Sequence, residues 1–229
     1  MANRTIAVIG GTGDQGFGLV LRWAKAGEHV IIGSRQQQKA EDAAKKANGI
    51  LGTASFAVSG MENPKAAAAA DIIVMSVPFA AHVDMIRSVY DSIKSDDVFI
   101  DVVVPLSTAV GGSASTALAV WEGSAAQQAA RLLPPHTKIA SAFHNVVAEA
   151  LQRIDREVDS DVIVCGDSQE TRKVGMELAT KIPGVRAIDG GRLENSRIVE
   201  QMTALLIGIN IRYKVSDAGI RITGLPATG

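Results

Sequence analysis

A single cysteine, Cys165, stands among 229 residues, so no disulfide can form within the chain and no cysteine-based metal spacing exists. Its setting, after Val162-Ile163-Val164 and before Gly166, reads as a buried strand end and not as a nucleophile. Histidines number only four, His29, His82, His136 and His144, and none is spaced for metal ligation. Charge of one sign is also missing: 23 basic residues face 24 acidic ones, a net charge of −1, which predicts no nucleic-acid or anionic-membrane partner. The N-terminus carries no basic segment followed by an apolar core, so no export signal is read there. The longest late apolar stretch, Met202 to Ile211, is too short and too closely flanked by Arg197, Glu200 and Arg212 to span a bilayer. A cytoplasmic protein is expected. Neither a Ser-His-Asp ordering nor a pair of carboxylates beside a glycine elbow is present.

What is there begins at residue 5. Thr5-Ile6-Ala7-Val8-Ile9 runs directly into Gly10-Gly11-Thr12-Gly13-Asp14-Gln15-Gly16. A β-branched run followed by G-x-G-x-x-G (Gly11, Gly13, Gly16) is a strand turning tightly into a helix. The first glycine allows the turn, the second a close approach of backbone to a pyrophosphate, and the third close packing of helix on strand. Unpaired N–H groups at the helix start would face the phosphates. The amphipathic segment Leu19 to Ala24, a stop at Gly27 and a second strand from His29 supply the context that a glycine motif alone lacks.

The end of that second strand sets the cofactor. An NAD site places Asp or Glu there to bind the ribose 2′-hydroxyl. Here Gly33-Ser34-Arg35 is followed by Lys39 one turn later, a hydroxyl, a guanidinium and an ammonium that suit a 2′-phosphate. NADP is therefore expected. The plainer alternative makes Arg35 and Lys39 surface cations, although helix starts favour anions.

Short β-branched runs alternate with helical segments along the chain, the pattern of a doubly wound parallel α/β (Rossmann) sheet. Strands are predicted at 5–9, 29–32, 55–58, 72–77, 98–103, 139–143, 161–164 and 186–188. Helices are predicted at 15–26, 36–47, 62–70, 80–93, 124–132, 169–181 and 193–213, with a small-residue loop around 111–116. The last helix carries Ile198, Met202, Leu205, Leu206 and Ile209, a stripe for packing on the sheet or on a sister subunit. Residues 1–150 read as the NADP-binding part and 151–229 as a smaller, mostly helical part. His82 is a weak candidate for facing the ligand crevice. His144 ends the sixth strand, either to protonate a carbonyl or to position a loop under the nicotinamide. With no evident proton relay, hydride transfer between two oriented cofactors is the expected chemistry.

Gly10-Gly11-Thr12-Gly13, Gly33-Ser34-Arg35 with Lys39, Val77-Pro78, Val104-Pro105, Ser141-Ala142-Phe143-His144, Val164-Cys165-Gly166-Asp167, Leu193 to Arg197 and the tail Gly219 to Leu225 together resemble the NADPH:deazaflavin oxidoreductases. These enzymes exchange hydride between NADP and coenzyme F-420, an 8-hydroxy-5-deazaflavin. The resemblance implies that Thr12, Gly13, Asp14 and Gln15 hold the pyrophosphate, with the Asp14 carboxylate turned outward. It implies a 2′-phosphate cage of Ser34, Arg35 and Lys39, with Val77 and Ala81 lining the dinucleotide and Ala148 beside the nicotinamide. The deazaflavin would lie between the loop His144–Ala148 and the C-terminal helices of a homodimer or higher homo-oligomer. Two readings compete: an NADPH-dependent reductase of a flavin or an imine/carbonyl substrate, and a non-catalytic NADP-sensing module.

Overall fold

The computed structural model describes residues 4–52 and 57–225. Eight strands form one sheet: β1 (Thr5–Ile9), β2 (His29–Ser34), β3 (Ser59–Glu62), β4 (Ile72–Met75), β5 (Val98–Asp101), β6 (Lys138–Ser141), β7 (Ser160–Gly166) and β8 (Val185–Asp189). Their order is β3-β2-β1-β4-β5-β6-β7-β8, so the direction of winding reverses between β1 and β4, where open α/β sheets bind ligands. The helices are α1 (Asp14–Lys25), α2 (Gln37–Leu51), α3 (Asn63–Ala68), α4 (Phe79–Val89), α5 (Ala125–Leu132), α6 (Ala148–Gln152), α7 (Gln169–Thr180) and α8 (Ser196–Tyr213). Two apolar layers flank the sheet. One gathers Trp23, Leu19, Phe143 and Val162; the other gathers Ile73, Phe99, Ile86 and Ala129.

Three features correct the expectations. First, β7 runs antiparallel to β6, pairing Ala140 with Gly166 and Ser141 with Cys165, so the sheet is mostly, not wholly, parallel. The chain between them holds only the five-residue α6, which is no crossover helix, and the strand returns in the opposite sense. Second, the strand predicted at 55–58 lies at Ser59–Glu62. Residues 55 and 56 fall outside the described residues, and Val58 is removed from the ladder by Asn48 of α2. The Asn48 amide accepts from the Val58 N–H at 2.8 Å and donates to its carbonyl at 2.9 Å. Third, the apolar runs predicted as β4, β5 and β6 outlast their ladders by two residues each. The surplus residues, Ser76-Val77, Val102-Val103 and Ala142-Phe143, leave the sheet at its carboxyl edge.

α6 is fastened to α1 by a buried charge. Arg22, 2% exposed, donates to the carbonyls of Leu151, Arg156, Ala150 and Arg153 at 2.7–2.8 Å. Those carbonyls belong to and follow the C-terminal end of a helix, where a cation is favoured. The C-terminal tail is held by Asp161 of β7, whose carboxylate accepts from Arg186, Arg221 and the Ile222 N–H. Burial alone would raise Asp161, but these donors bring it down to about 2.

Candidate functional site

The β1–α1 turn is built as the glycines require, with one shift of role. The left-handed residue is Gly10 (φ +84°), where a Cβ would meet the Ser76 carbonyl at 2.3 Å. Gly16 packs α1 onto the turn, since a Cβ there would lie 2.7 Å from the Gly10 carbonyl. Gly11 and Gly16 are thus buried framework, while Thr12, Gly13 and Asp14 are exposed at the rim. Gly13 caps α1 without any side-chain hydrogen bond to the first-turn amides, leaving the positive end of the helix open to an anion.

Two cavities meet at this turn, sharing Gly13, Ser76, Val77 and Pro78. The outer one, about 490 Å³, is lined by Thr12, Ser34, Arg35, Lys39 and Ala81 among others. Arg35 and Lys39 are exposed, and neither forms an ion pair among the described residues. Two unpaired cations beside the Ser34 hydroxyl and an open helix N-terminus fit a phosphate-bearing ligand. No carboxylate stands at the end of β2, where a 2′-hydroxyl would need one.

The inner cavity, about 420 Å³, is mostly apolar. Its floor is Val102, Val103 and Val104, one side is the loop His144–Ala148, and Gly13, Asp14 and Gln15 reach it from the turn. The far wall is α8, through Thr203, Leu206, Ile207 and Asn210. The loop leaves β6 through Phe143, a non-glycine residue in the left-handed region (φ 65°), fully buried and edge-on to Trp23. Such conformations persist where the surroundings enforce them. Here the Gln15 amide donates to the Phe143 carbonyl (3.1 Å), and Thr203 donates to the His144 carbonyl (2.8 Å).

His144 is 4% exposed and lines this cavity with both ring nitrogens unpartnered. Burial pushes its pKa down to about 4, despite Asp101 nearby, so the imidazole is neutral at physiological pH. A neutral ring with two free nitrogens can orient a ligand, but it is a poor proton donor.

All thirteen residues assigned from the sequence gather here: eleven line one or both cavities, and Gly11 and Gly16 support the turn. Three groups, Asp101, Glu200 and Thr203, escaped that reading, and one expectation is corrected. His82 does not face the crevice; it is fully buried, its Nε2 2.8 Å from Oδ2 of Asp101, which is buried as deeply. Glu200 of α8, 1% exposed, accepts from the Ala125 and Ala126 N–H groups at 2.8 and 3.1 Å, capping α5 from outside. Thr203, three residues on from Glu200, was hidden within an apolar stripe. That stripe also divides: Leu206 is buried, whereas Ile198 and Leu205 are 62% and 64% exposed. Cys165 is buried, and burial pushes its thiol up to about 11.

Comparison with known proteins separates fold from family. A crystal structure from Arthrobacter sp. FB24 aligns with a TM-score of 0.78 at 21% identity, covering 95% of this chain and 98% of that one. An imine reductase of Bacillus cereus aligns at 0.61 and 12%, over 92% of this chain and 62% of that one. These likenesses concern the fold alone. Residues 5–105 match the family model described as NADP oxidoreductase, coenzyme F420-dependent. The F420-dependent NADP reductase of Methanothermobacter thermautotrophicus is 51% identical over 222 residues, 96% of this chain and 95% of that one. The reductase of the same name from Methanocaldococcus jannaschii is 45% identical, over 96% and 98%. With identity of that depth running from the glycine turn to the C-terminal tail, the chain belongs to the family of F420-dependent NADP reductases.

Proposed function

We propose that this protein transfers hydride directly and reversibly between NADP(H) and the deazaflavin coenzyme F-420. The observation that carries the reading is the pair of joined cavities, one offering unpaired cations and the other an apolar slot over the sheet edge. When bound, the nicotinamide and the deazaflavin supply the hydride chemistry between nicotinamide C4 and deazaflavin C5. The protein's part is to hold and orient. Ser34, Arg35 and Lys39 grip the 2′-phosphate, and the turn Gly11–Gly16, with Thr12, Asp14 and Gln15, receives the pyrophosphate on its amides. Val77 and Ala81 pack along the dinucleotide. His144 and Ala148 would shape the slot that holds the reacting rings, and its apolar walls would exclude water. No catalytic side chain is assigned.

The test mixes the protein with NADPH and, separately, oxidised deazaflavin, FMN, FAD or simple ketones, following the nicotinamide absorbance. Rapid loss with the deazaflavin alone is expected. Turnover confined to a flavin or a carbonyl would transfer the reading to a related reductase, and cofactor binding without turnover would favour a sensing module.

The assembly we infer is a homodimer or higher oligomer using α8, on which Ile198, Leu205, Ile211 and Tyr213 are exposed. Light scattering on Leu205→Arg should show smaller particles than wild type. A cytoplasmic site is in keeping with a free buried thiol, and among the described residues no helix is long and apolar enough to cross a membrane. In this reading residues 1–150 bind NADP, and 151–229 complete the second-cofactor cleft and the oligomer interface.

A further inference from the structure

Behind the inner cavity lies a set of buried ionisable groups that the transfer of hydride does not use. His82 comes from α4, one residue after the cavity-lining Ala81; Asp101 ends β5, one residue before the floor residue Val102; Glu200 comes from α8, three residues before the wall residue Thr203. Each is 0–1% exposed. His82 bonds Asp101, whose other oxygen accepts from the Val103 N–H at 2.8 Å. Glu200 is held by two α5 amides and lies close enough to both partners to interact electrostatically. The elements around them contribute Gln128 of α5 beside His82, His144 beside Asp101, and Cys165 of β7 within the field of Glu200. Two carboxylates and one imidazole thus share a space sealed from water.

We propose that His82, Asp101 and Glu200 form a proton-exchanging back wall, which counts the charge of the nicotinamide above it and gives up a proton when that ring is oxidised. The inference rests on the reading that the nicotinamide occupies the inner cavity. Two facts make the wall responsive. A second carboxylate in a dry space is costly, so burial, aided by Asp101 and opposed by the α5 amides, raises Glu200 to about 8. Burial works against protonating His82, but the contact with Asp101 outweighs it and raises the imidazole. Near neutral pH the wall therefore holds a proton on Glu200, which little free energy separates from loss. NADP⁺ brings a ring cation over Val102 and Val103; NADPH brings a neutral ring. The cation favours the ionised Glu200 and disfavours the protonated wall, so the proton leaves to solvent. His144 contributes nothing at this pH, being already neutral, and Cys165 stays a thiol.

The experiment is calorimetric titration of NADP⁺ and of NADPH, each alone, into wild-type protein at pH 8 in buffers of unlike ionisation enthalpy, which yields protons exchanged per site. The 2′-phosphate and pyrophosphate are common to both ligands, so their protons cancel in the difference. NADP⁺ should release on the order of half a proton more than NADPH at pH 8, fading towards pH 6 and pH 10. Glu200→Gln should abolish that difference, and His144→Gln should retain it. Equal proton counts across this range, or a difference surviving in Glu200→Gln, would overturn the proposal. If Glu200→Gln does not fold, the wild-type pH profile decides alone: a difference centred near pH 8 supports the wall and a flat one sinks it. Absence of binding heat with both ligands would overturn the cofactor reading itself, a failure distinct from binding with equal proton counts.

Discussion

The outer and inner cavities achieve selectivity by opposite means. In the outer one two cations, Arg35 and Lys39, stand in water and form no ion pair among the described residues. In the inner one His144 is buried, and burial has changed its chemistry: it sinks to about 4, while Glu200 behind the cavity climbs to about 8. An exposed cation discriminates by the presence or absence of a partner charge, and loses strength with salt. A buried group responds to any charge placed nearby, because little water screens it. In the reading proposed above, one cavity tells which dinucleotide has arrived, and the other senses what state its ring is in.

The sharpest way to break this contrast is to fill the inner cavity. Ala148→Phe places an aromatic ring against the slot proposed to hold the two cofactors, and kcat/KM should fall on the order of a hundredfold to a thousandfold through lost orientation. Binding of the 2′-phosphate end should persist, measured by the affinity for 2′-phospho-AMP; a parallel loss there would mean the two cavities are not separate in function.

Next in size is the outer cage. Wild type should favour NADPH over NADH by at least about tenfold, and Arg35→Ala should lower kcat/KM for NADPH about ten- to a hundredfold, the worth of one charge-assisted contact. NADH should be nearly unaffected. Equal weakening of both would mean that Arg35 holds the loop and not the phosphate.

His144→Gln should cost less, below about a hundredfold, since general acid catalysis is worth 10²–10⁴ where a side chain must deliver the proton. A larger loss, with a limb of the pH–rate profile removed, would favour carbonyl or imine reduction. The smallest effect is on stability. A carboxyl whose folded pKa is raised contributes stability at low pH that is lost as pH rises through the folded value. For Glu200 the loss begins near the ordinary value of 4.5, runs at about 1.4 kcal/mol per pH unit, and levels off above about 8. The melting temperature should drop by a few degrees per pH unit as pH rises towards 8 and level off above it, and Glu200→Gln should flatten that drop.

The ease of reading the two cavities in sequence follows from how each is assembled. The outer cage is contiguous: Gly10 to Gly16 and Ser34 to Lys39 lie on two successive βα turns, so spacing alone brings them together. The inner cavity draws on β5, β6, the loop before α6 and α8, and no local pattern announces that Asp101 meets His82 across 19 residues or that Glu200 reaches Ala125 across 75. Glu200 in particular looks like one polar residue on an amphipathic helix. A faint signal did exist in the apolar runs 72–77, 98–103 and 139–143, each longer than its ladder. Of their surplus residues Val77, Val102, Val103 and Phe143 are apolar and bound a cavity, a cause that periodicity cannot distinguish from a longer strand. The antiparallel β7 was hidden for a similar reason, since a fully buried strand reads the same in either direction.

The four-carbonyl grip of Arg22 bears on how this molecule can be cut. A gene fragment ending at residue 150 would keep only one of those acceptors, Ala150, and would strand a guanidinium in the interior of the helix that carries the glycine turn. Removing the partners of a buried charge is among the more damaging changes a fold can suffer. The part proposed to bind the nucleotide, although it occupies a continuous stretch of sequence, is for this reason not expected to be a transplantable module. Chimeras that exchange the second-cofactor side between relatives would do better to carry residues 148–156 along with α1 than to join at the boundary the sequence invites.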